Sequence, residues 1–210
     1  MNTHTGRLIT ISGGEGSGKS SQIKRLARAF PDAVFTREPG GTEFAEAGRA
    51  LFLGPLGKDT GAFTQLCFTF GCSNDHLRKV VAPAVARGAL VFSDRFCKVC
   101  AYAYQIYAGD GRSFLDVYSL LASRNDETVA PTLSIIIDVD PEEGLRRVAH
   151  RKGVTNHFDE RKIEFHRKVR EGYLEYARLN PETTVVINGN PSEEEVWNEL
   201  YATIMRALEK

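Results

Sequence analysis

Short apolar runs rich in β-branched and aromatic residues recur at five places along the chain. They occupy residues 8–11, 33–36, 89–93, 133–138 and 184–187. The runs do not alternate between apolar and polar positions, which is typical of strands buried on both faces of a parallel sheet. Helical patterns separate them. The sequence therefore predicts an α/β fold, a three-layer sandwich with a five-stranded parallel sheet, helices on both faces and right-handed crossovers.

Two segments have apolar residues three and four positions apart, which predicts amphipathic helices. These positions are Ile23, Leu26, Ala27 and Phe30 in the first segment, and Val196, Leu200, Ile204 and Leu208 in the second. Ser192 and Glu195 have the spacing of a capping box, so the second helix should begin there. Because no repeat or linker interrupts the pattern, we expect a single domain over residues 1–210.

Composition and charge narrow the possible partners. The 27 basic and 27 acidic side chains give a formal net charge of zero. Such a chain has no general attraction for nucleic acid or an anionic membrane, so any anion must be bound by a local cluster. No apolar run approaches the ~20 residues of a membrane span, and the first residues are polar. We therefore expect a cytoplasmic protein with no nucleic-acid or membrane partner.

The motif with the highest information content is GGEGSGKS at residues 13–20, which matches GxxxxGK[ST] at every fixed position. It follows the first predicted strand and precedes the first helical segment, as a phosphate-binding loop (P-loop) requires. Glycines let backbone N–H groups surround a phosphate, Lys19 reaches the β and γ oxygens, and Ser20 can ligate Mg²⁺. The predicted ATP-binding residues of this loop are Gly13, Gly14, Gly16, Ser17, Gly18, Lys19, Ser20 and Ser21.

Charged side chains follow two other predicted strands. Asp94 lies where a carboxylate near the metal is expected. Arg37 and Arg95 also follow strands at this edge, where guanidinium groups suit a second phosphate, although a lone surface Arg is more often a salt-bridge partner. The basic segment 144–153 resembles a lid whose cations stabilise the transferring phosphoryl group. The long stretches 40–88 and 146–168 are the expected substrate walls and lid.

These motifs, in this order, resemble the thymidylate kinase family of nucleoside monophosphate kinases. The matching stretches are GGEGSGKSSQ at 13–22, TREPGGT at 36–42, HLRKVVAPAVARGALVFSDRF at 76–96, AYQ at 103–105, IIIDVDPEEGLRR at 135–147 and FHRKVREGYLEYA at 165–177. The resemblance implies a P-loop kinase that transfers the ATP γ-phosphoryl group directly to a deoxynucleoside monophosphate, with ATP as co-substrate and Mg²⁺ as cofactor. It also implies a homodimer.

Roles at matching positions follow from the same resemblance. Arg37 and Arg95 would hold the acceptor phosphate, and Glu15 would face the deoxyribose 3′-hydroxyl. Arg147 would pack on the adenine of ATP. A lid in the region of residues 146–160 would supply the transition-state cation, for which Arg151 is the candidate. The implied catalytic residues are Lys19, Arg95, Asp94, Glu15 and Arg151, and the implied metal ligands are Ser20 and Asp94.

The sequence departs from the family at the segments that would contact the base. The usual F-x-x-D-R-x-x-H becomes FTFGCSNDH at 68–76, and no alignment of it supplies the arginine that reads thymine. Aligned on His76, Thr69 takes the Phe position and Ser73 the Arg position; with a one-residue deletion the Arg position is Asn74. The implied substrate-binding residues are Glu15, Arg37, Pro39, Phe68, Phe70, Ser73, Asn74, Arg95, Val99, Cys100, Tyr104 and Gln105.

Two further segments depart from the family pattern. The segment from Asp94 to Gln105 is one residue longer than usual, and Val99 and Cys100 replace a small polar reader of the base. Loss of polar readers weakens discrimination between bases. In the lid, the usual D-R-[FY]-E becomes NHFD at 156–159, where His157 either partly substitutes for the arginine cation or is merely exposed; we favour exposure.

Several functional hypotheses remain open on the sequence alone. The leading one is phosphorylation of dTMP to dTDP. The nearest alternative is the same reaction on dUMP, a 5-modified deoxyuridylate or another deoxynucleotide, as a virus with modified DNA would need. A catalytically degenerate nucleotide-binding protein is a third. The four cysteines Cys67, Cys72, Cys97 and Cys100 have spacings that a zinc site tolerates, but small reduced thiols are the favoured interpretation.

Overall fold

A computed structural model describes residues 6–109, 111–150 and 157–209. Its sheet has five parallel strands in the order β2-β3-β1-β4-β5. The strands are β1 Arg7–Ser12, β2 Val34–Arg37, β3 Leu90–Asp94, β4 Leu133–Asp138 and β5 Thr184–Asn188. All five predicted strands are confirmed, with ends that differ by at most one residue. The α/β class and the parallel sheet are confirmed as well.

Ten α-helices connect or follow the strands in the described residues. They are α1 Lys19–Ala29, α2 Glu43–Leu53, α3 Pro55–Lys58, α4 Ala62–His76, α5 Ala82–Ala86, α6 Cys97–Ala101, α7 Leu115–Thr128, α8 Pro141–Ala149, α9 Ile163–Leu179 and α10 Glu193–Leu208. None of the described helices is long and apolar enough to cross a membrane.

Apolar side chains cover the sheet on both faces, as the unbroken strand runs predict. On one face, Ile9, Ile11 and Ile135 pack with Leu26 of α1 and Ile204 of α10. On the other face, side chains of α4, α6 and α9 form a second buried cluster, which includes Leu66, Val99 and Tyr173. The sheet is therefore the middle of three layers.

The register of the central strands determines where the site forms. Ile11 of β1 lies opposite Asp94 of β3, so the two strands end side by side. The backbone N–H of Arg95 donates to the carbonyl of Ile11 at 2.8 Å and extends this pairing by one residue. Consequently the loop that follows β1 and the side chains that follow β3 share one edge of the sheet.

The extra residue between Asp94 and Gln105 has a structural counterpart. Helix α6 continues directly into a π-helix, Tyr102–Tyr107. The N–H groups of Ala108 and Gly109 bond to carbonyls five residues earlier, at 3.1 and 3.0 Å. A π-turn contains more residues than an α-turn, so it can absorb an insertion without displacing the residues after it. We infer that this π-helix keeps Tyr104 and Gln105 in position despite the longer segment.

The predicted capping box of α10 is present. Ser192 accepts from the backbone N–H of Glu195 at 3.3 Å, and the Glu195 carboxylate accepts from the N–H of Ser192 at 3.0 Å. Ser192→Ala should lower the free energy of unfolding by about 1 kcal/mol, because a first-turn N–H group loses its partner. Urea unfolding measures the change. Glu199→Ala, at an exposed position of the same helix, is the control and should shift it by less than about 0.5 kcal/mol; equal losses in both variants would contradict the assignment.

Candidate active site

The loop between β1 and α1 has the conformation that its glycines predict. Gly13, Gly16 and Gly18 have positive φ angles of 149°, 69° and 89°. A Cβ at Gly16 would lie 2.0 Å from the carbonyl oxygen of Gly144, so a side chain is excluded there. The loop therefore packs tightly against α8 and leads its backbone into the N-terminus of α1, which favours an anion.

Lys19 is buried in this loop. Its Nζ donates to the carbonyls of Gly13 and Gly14 at 3.0 and 2.7 Å and to Ser17 Oγ at 3.0 Å. Burial and the nearby Arg95 guanidinium lower the pKa of Lys19 to about 8, while Glu15 and Asp94 oppose the shift. The ammonium group is thus held by weak, neutral acceptors, and a phosphate could replace them.

Glu15 and Arg95 form an ion pair at the centre of the site. Arg95 Nη2 donates to Glu15 Oε1 at 2.9 Å, and the Tyr104 hydroxyl donates to the same oxygen at 3.0 Å. Burial alone would raise the pKa of Glu15, but Arg95 and Lys19 lower it to about 2. Glu15 is therefore ionised throughout the neutral range, and its carboxylate is fixed from two directions.

Arg95 reaches this position through an unusual backbone conformation. Among the residues that the structure describes, Arg95 is the only non-glycine residue with a positive φ angle, which is 72°. A non-glycine residue in the left-handed region is strained by roughly 1–2 kcal/mol. The conformation turns the side chain back over the P-loop, where Nη1 donates to Gly13 O at 3.3 Å and to the Tyr173 hydroxyl at 3.4 Å.

Two cavities open on either side of this ion pair. One, the donor cavity, is lined by the P-loop, the N-terminus of α1, the end of α8 and the turn that precedes α10. The other, the acceptor cavity, lies between α2, α4, α6 and the π-helix. The residues that line both cavities are Glu15, Arg49, Leu53 and Arg95. Ligands in the two cavities would meet beside these side chains.

The donor cavity contains most of the predicted ATP-binding residues. Gly16, Ser17, Gly18, Lys19, Ser20, Ser21 and Arg147 line it, together with Asp94. Gly13 and Gly14 do not line it, and their carbonyls accept from Lys19. Arg147 is held by Glu143 at 2.7 Å and by the carbonyl of Gly189 at 3.0 Å, so its guanidinium has a fixed place at the cavity wall. Arg151 lies outside the described residues.

Few protein oxygen atoms are available to bind a divalent cation in the donor cavity. Ser20 and Asp94 both line the donor cavity and supply oxygen atoms, which Mg²⁺ prefers. Among the described ranges there is no group of three or more His, Cys, Asp or Glu side chains that could hold a metal ion. This pattern fits Mg²⁺ bound by one or two protein oxygens together with nucleotide phosphates. It gives the zinc hypothesis no support; Cys97 is buried and Cys67 exposed.

Arginine side chains cluster where the two cavities meet. Arg37 is exposed and paired with Glu46, with Nη2 2.8 Å from Oε2, and does not line the acceptor cavity. Arg49 of α2 lines both cavities and donates to Pro39 O at 3.1 Å. Burial, Arg37 and Arg95 lower the pKa of Arg49. Guanidinium groups that lie this close together could bind an anionic group between them. Arg49 was not predicted from the sequence, although an arginine within the apolar run 47–53 was a usable signal.

The predicted substrate-binding residues divide into two groups. Glu15, Pro39, Arg95, Cys100, Tyr104 and Gln105 line the acceptor cavity, whereas Arg37, Phe68, Phe70, Ser73, Asn74 and Val99 do not. Phe70 is buried against Tyr118, with ring centroids 5.9 Å apart, and Val99 is fully buried. On α4 it is Thr69 that lines the cavity.

A buried polar network connects the segments that form the wall of the acceptor cavity. Glu38 Oε1 accepts from Ser73 Oγ and pairs with His76 Nδ1, both at 3.0 Å, and Oε2 accepts from the backbone N–H of Cys97. His76 Nε2 lies 2.6 Å from Thr36 Oγ1. The network joins β2, α4 and α6, so it fixes the width of the acceptor cavity. Ser73 contacts Glu38 and does not line the acceptor cavity.

The remaining lining residues were not predicted. They are Glu38, Arg49, Phe52, Leu53, Thr69, Phe96, Cys97, Ala101 and Phe158. The prediction that His157 is exposed was wrong: it is buried, its Nε2 lies 2.9 Å from Phe52 O, and its ring packs 4.1 Å from that of Phe158. Burial by α2, more than 100 residues away in the chain, could not be read from the local sequence.

Together, the phosphate loop, the consecutive residues Asp94 and Arg95 and the adjoining arginine-lined cavity are the features of a P-loop phosphotransferase. Comparison with known proteins makes the class specific. The family model described as thymidylate kinase matches residues 11–200. The chain belongs to the thymidylate kinase family, and it is therefore a nucleoside monophosphate kinase.

Individual relatives support this assignment. A thymidylate kinase of Rhodopseudomonas palustris is 37% identical over 213 residues, which cover 97% of this chain and 91% of that protein. One from Caulobacter vibrioides is 35% identical over 210 residues, covering 97% and 98%. The crystal structure of thymidylate kinase from Ehrlichia chaffeensis superposes with a TM-score of 0.72 at 28% identity, covering 95% of this chain and 98% of that one.

The lowered pKa of Lys19 predicts proton uptake on nucleotide binding. Above pH 8 the free protein has lost this proton, and a bound phosphate favours the charged form, so ATP affinity should fall as pH rises through about 8. Isothermal titration calorimetry in buffers of different ionisation enthalpy should give uptake near one proton at pH 9.

The variant Lys19→Met should lose this uptake, whereas Lys24→Met, which changes an exposed lysine of the same helix, should retain it. Subtracting the proton uptake of Lys19→Met from that of the wild type removes the contribution of protons that ATP itself binds or releases. Equal uptake by wild type and Lys19→Met at pH 9 would show that another group titrates.

Proposed function

We propose that the protein transfers the γ-phosphoryl group of ATP to dTMP and releases ADP and dTDP. The observation that carries this proposal is the junction of the donor and acceptor cavities at Glu15, Arg49 and Arg95, beside Lys19. A phosphate group from each side can approach there, as in-line transfer requires. The thymidylate kinase relatives support dTMP as the acceptor.

On the donor side, the loop amides and Lys19 would bind the ATP phosphates. Lys19 would exchange the carbonyls of Gly13 and Gly14 for β and γ oxygens, and a charged phosphate is the stronger partner. Arg147 would pack on the adenine at the cavity wall. Arg151 remains a proposed source of transition-state charge; its segment lies outside the described residues.

On the acceptor side, Arg95 and Arg49 would clamp the acceptor phosphate, and Arg37, which lines neither cavity, would be a further cation near Arg49. Glu15 would accept from the deoxyribose 3′-hydroxyl, because its carboxylate is ionised and oriented by Tyr104. Arg95 would then exchange part of its contact with Glu15 for the incoming phosphate. Transfer of this kind needs positioning and charge stabilisation rather than a covalent enzyme intermediate.

Mg²⁺ is the proposed cofactor, with Ser20 and Asp94 as its protein contacts. When bound, the ion would neutralise charge on the phosphate oxygens. The protein's own part is to place a hydroxyl and a carboxylate oxygen at the wall of the donor cavity beside Lys19. We further propose a homodimer, a cytoplasmic location and one domain.

A catalytically degenerate nucleotide-binding protein would show no turnover with any monophosphate. A coupled ADP-release assay with ATP, Mg²⁺ and dTMP therefore distinguishes it from an active kinase. We expect turnover, and Lys19→Met should lower kcat by at least about 10²-fold, because the charge on the transferring phosphoryl group loses a preorganised donor. Lys24→Met is the matched control and should behave as wild type. Absence of turnover with dTMP and with all other deoxynucleotides would reject the proposal.

The acceptor clamp can be tested separately through Arg49. Arg49→Gln should raise the KM for dTMP by about tenfold or more, since one charge-assisted contact to the acceptor phosphate is lost. Arg78→Gln, which changes an exposed arginine outside both cavities, is the control. An unchanged KM and kcat in Arg49→Gln would remove Arg49 from the site.

A further inference from the structure

His157 stands where the family pattern has an arginine, yet it lines neither cavity. Its ring is buried, and Nε2 lies 2.9 Å from the carbonyl oxygen of Phe52 in α2. Because a carbonyl oxygen can only accept, Nε2 carries the hydrogen and donates it. Nδ1 has no hydrogen-bond partner among the described residues, so the bond from Nε2 is the one that orients the ring. A ring that is bound to α2 in this way does not face the transferring phosphoryl group.

The next residue, Phe158, is buried and lines the acceptor cavity. Its ring centroid lies 4.1 Å from that of His157 and 5.4 Å from that of Phe52. It also contacts the ring of Tyr104, with centroids 5.2 Å apart and the ring planes at 80°. The hydrogen bond from His157 to α2 therefore helps to hold Phe158 between α2 and the π-helix.

Tyr104 connects this packing to the ion pair. Its hydroxyl donates to Glu15 Oε1 at 3.0 Å, and the same oxygen accepts from Arg95. The Tyr104 ring packs between side chains that include Phe158 and Tyr173, whose ring centroid is 6.1 Å away. Because the phenol is rigid, a shift of the ring also moves the hydroxyl. A displacement of Phe158 would therefore reach Glu15 through Tyr104.

The other polar contacts between the 157–161 segment and α3 lie at the surface. Lys58 Nζ is 3.0 Å from Glu160 Oε2, and both side chains are more than half exposed. Arg161 Nη2 donates to the carbonyl of Lys58 at 3.4 Å. Exposed ion pairs contribute little, because water and salt screen them. Within the described part of the segment, the buried hydrogen bond of His157 is therefore the stronger anchor.

We propose that His157 is a positioning residue for Glu15. Its hydrogen bond to Phe52 O fixes Phe158 against the Tyr104 ring, and the phenol in turn orients the carboxylate. The inference rests on the proposed kinase function and adds a residue to it. His157 acts as a hydrogen-bond donor and does not replace the transition-state cation. Since Glu15 would bind the deoxyribose hydroxyl, loss of the bond should weaken acceptor binding and leave ATP binding unchanged.

The test compares His157→Gln with His157→Leu. The amide nitrogen of glutamine can donate to Phe52 O in place of Nε2, whereas leucine has no donor. In His157→Leu the dissociation constant and the KM for dTMP should rise about fivefold or more, because a buried carbonyl loses its partner. His157→Gln should stay within about threefold of wild type, since the donor is kept. Calorimetry gives the dissociation constant, and the ADP-release assay gives KM and kcat.

Lys58→Gln is the matched control, because it removes only the exposed ion pair of the same segment. It should change the dissociation constant for dTMP by less than about twofold. The KM for ATP should stay within about twofold of wild type in all three variants, because the donor cavity is not touched.

A double-mutant cycle tests the route through Tyr104. Tyr104→Phe removes the hydroxyl that orients Glu15. Once that hydroxyl is absent, adding His157→Leu should raise the dissociation constant for dTMP by less than about twofold more. Fully additive effects would overturn the route through the hydroxyl.

Two other outcomes would overturn the role of His157. Equal losses of kcat in His157→Gln and His157→Leu, with unchanged dTMP binding, would make the residue a source of charge. A lower free energy of unfolding in His157→Leu, measured with urea, together with unchanged dTMP binding and KM, would make its role structural only. His157→Asn, whose shorter side chain cannot reach Phe52 O, takes the place of His157→Leu if that variant fails to fold. Absence of turnover in the wild type would instead reject the proposed function, and dTMP binding would still test the positioning role.

Discussion

The ion pair between Arg95 and Glu15 sets the geometry on which the rest of the site depends. Either charge alone would be costly at this depth, because burial removes its hydration. The two residues follow different strands, so they can pair only if β1 and β3 are neighbours in the observed register. Glu15 stands in the phosphate loop and Arg95 follows β3, and both line the two cavities, so one contact holds the cavities in a fixed relation.

The fold and the donor side could be predicted because their signals are local. Strands buried on both faces give continuous apolar runs. The glycines of GGEGSGKS permit the positive φ angles of the loop, so its conformation can be predicted from the motif itself. Glu15 and Arg95 were also recognisable from the motifs that contain them. These features need no knowledge of which distant segment packs against them.

The acceptor side could not be predicted in the same way. Successive residues on a helix differ by about 100° in direction, so only one of Phe68, Thr69 and Phe70 can face a given cavity. An aromatic residue was the natural choice for a base, yet the helix turns Thr69 inward and Phe70 toward the core. The network of Glu38, His76 and Ser73, which fixes this orientation, joins segments that are far apart in sequence.

The π-helix after α6 makes the position of Tyr104 independent of the length of α6. It begins directly after the α6 part of the cavity wall and contains Tyr104, so a change in the length of α6 can be absorbed there while Tyr104 keeps its bond to the Glu15 carboxylate. Residues of α6 could therefore be exchanged without displacing the phenol that orients Glu15. A joint of this kind would let the cavity wall and the residues around Glu15 change independently in evolution.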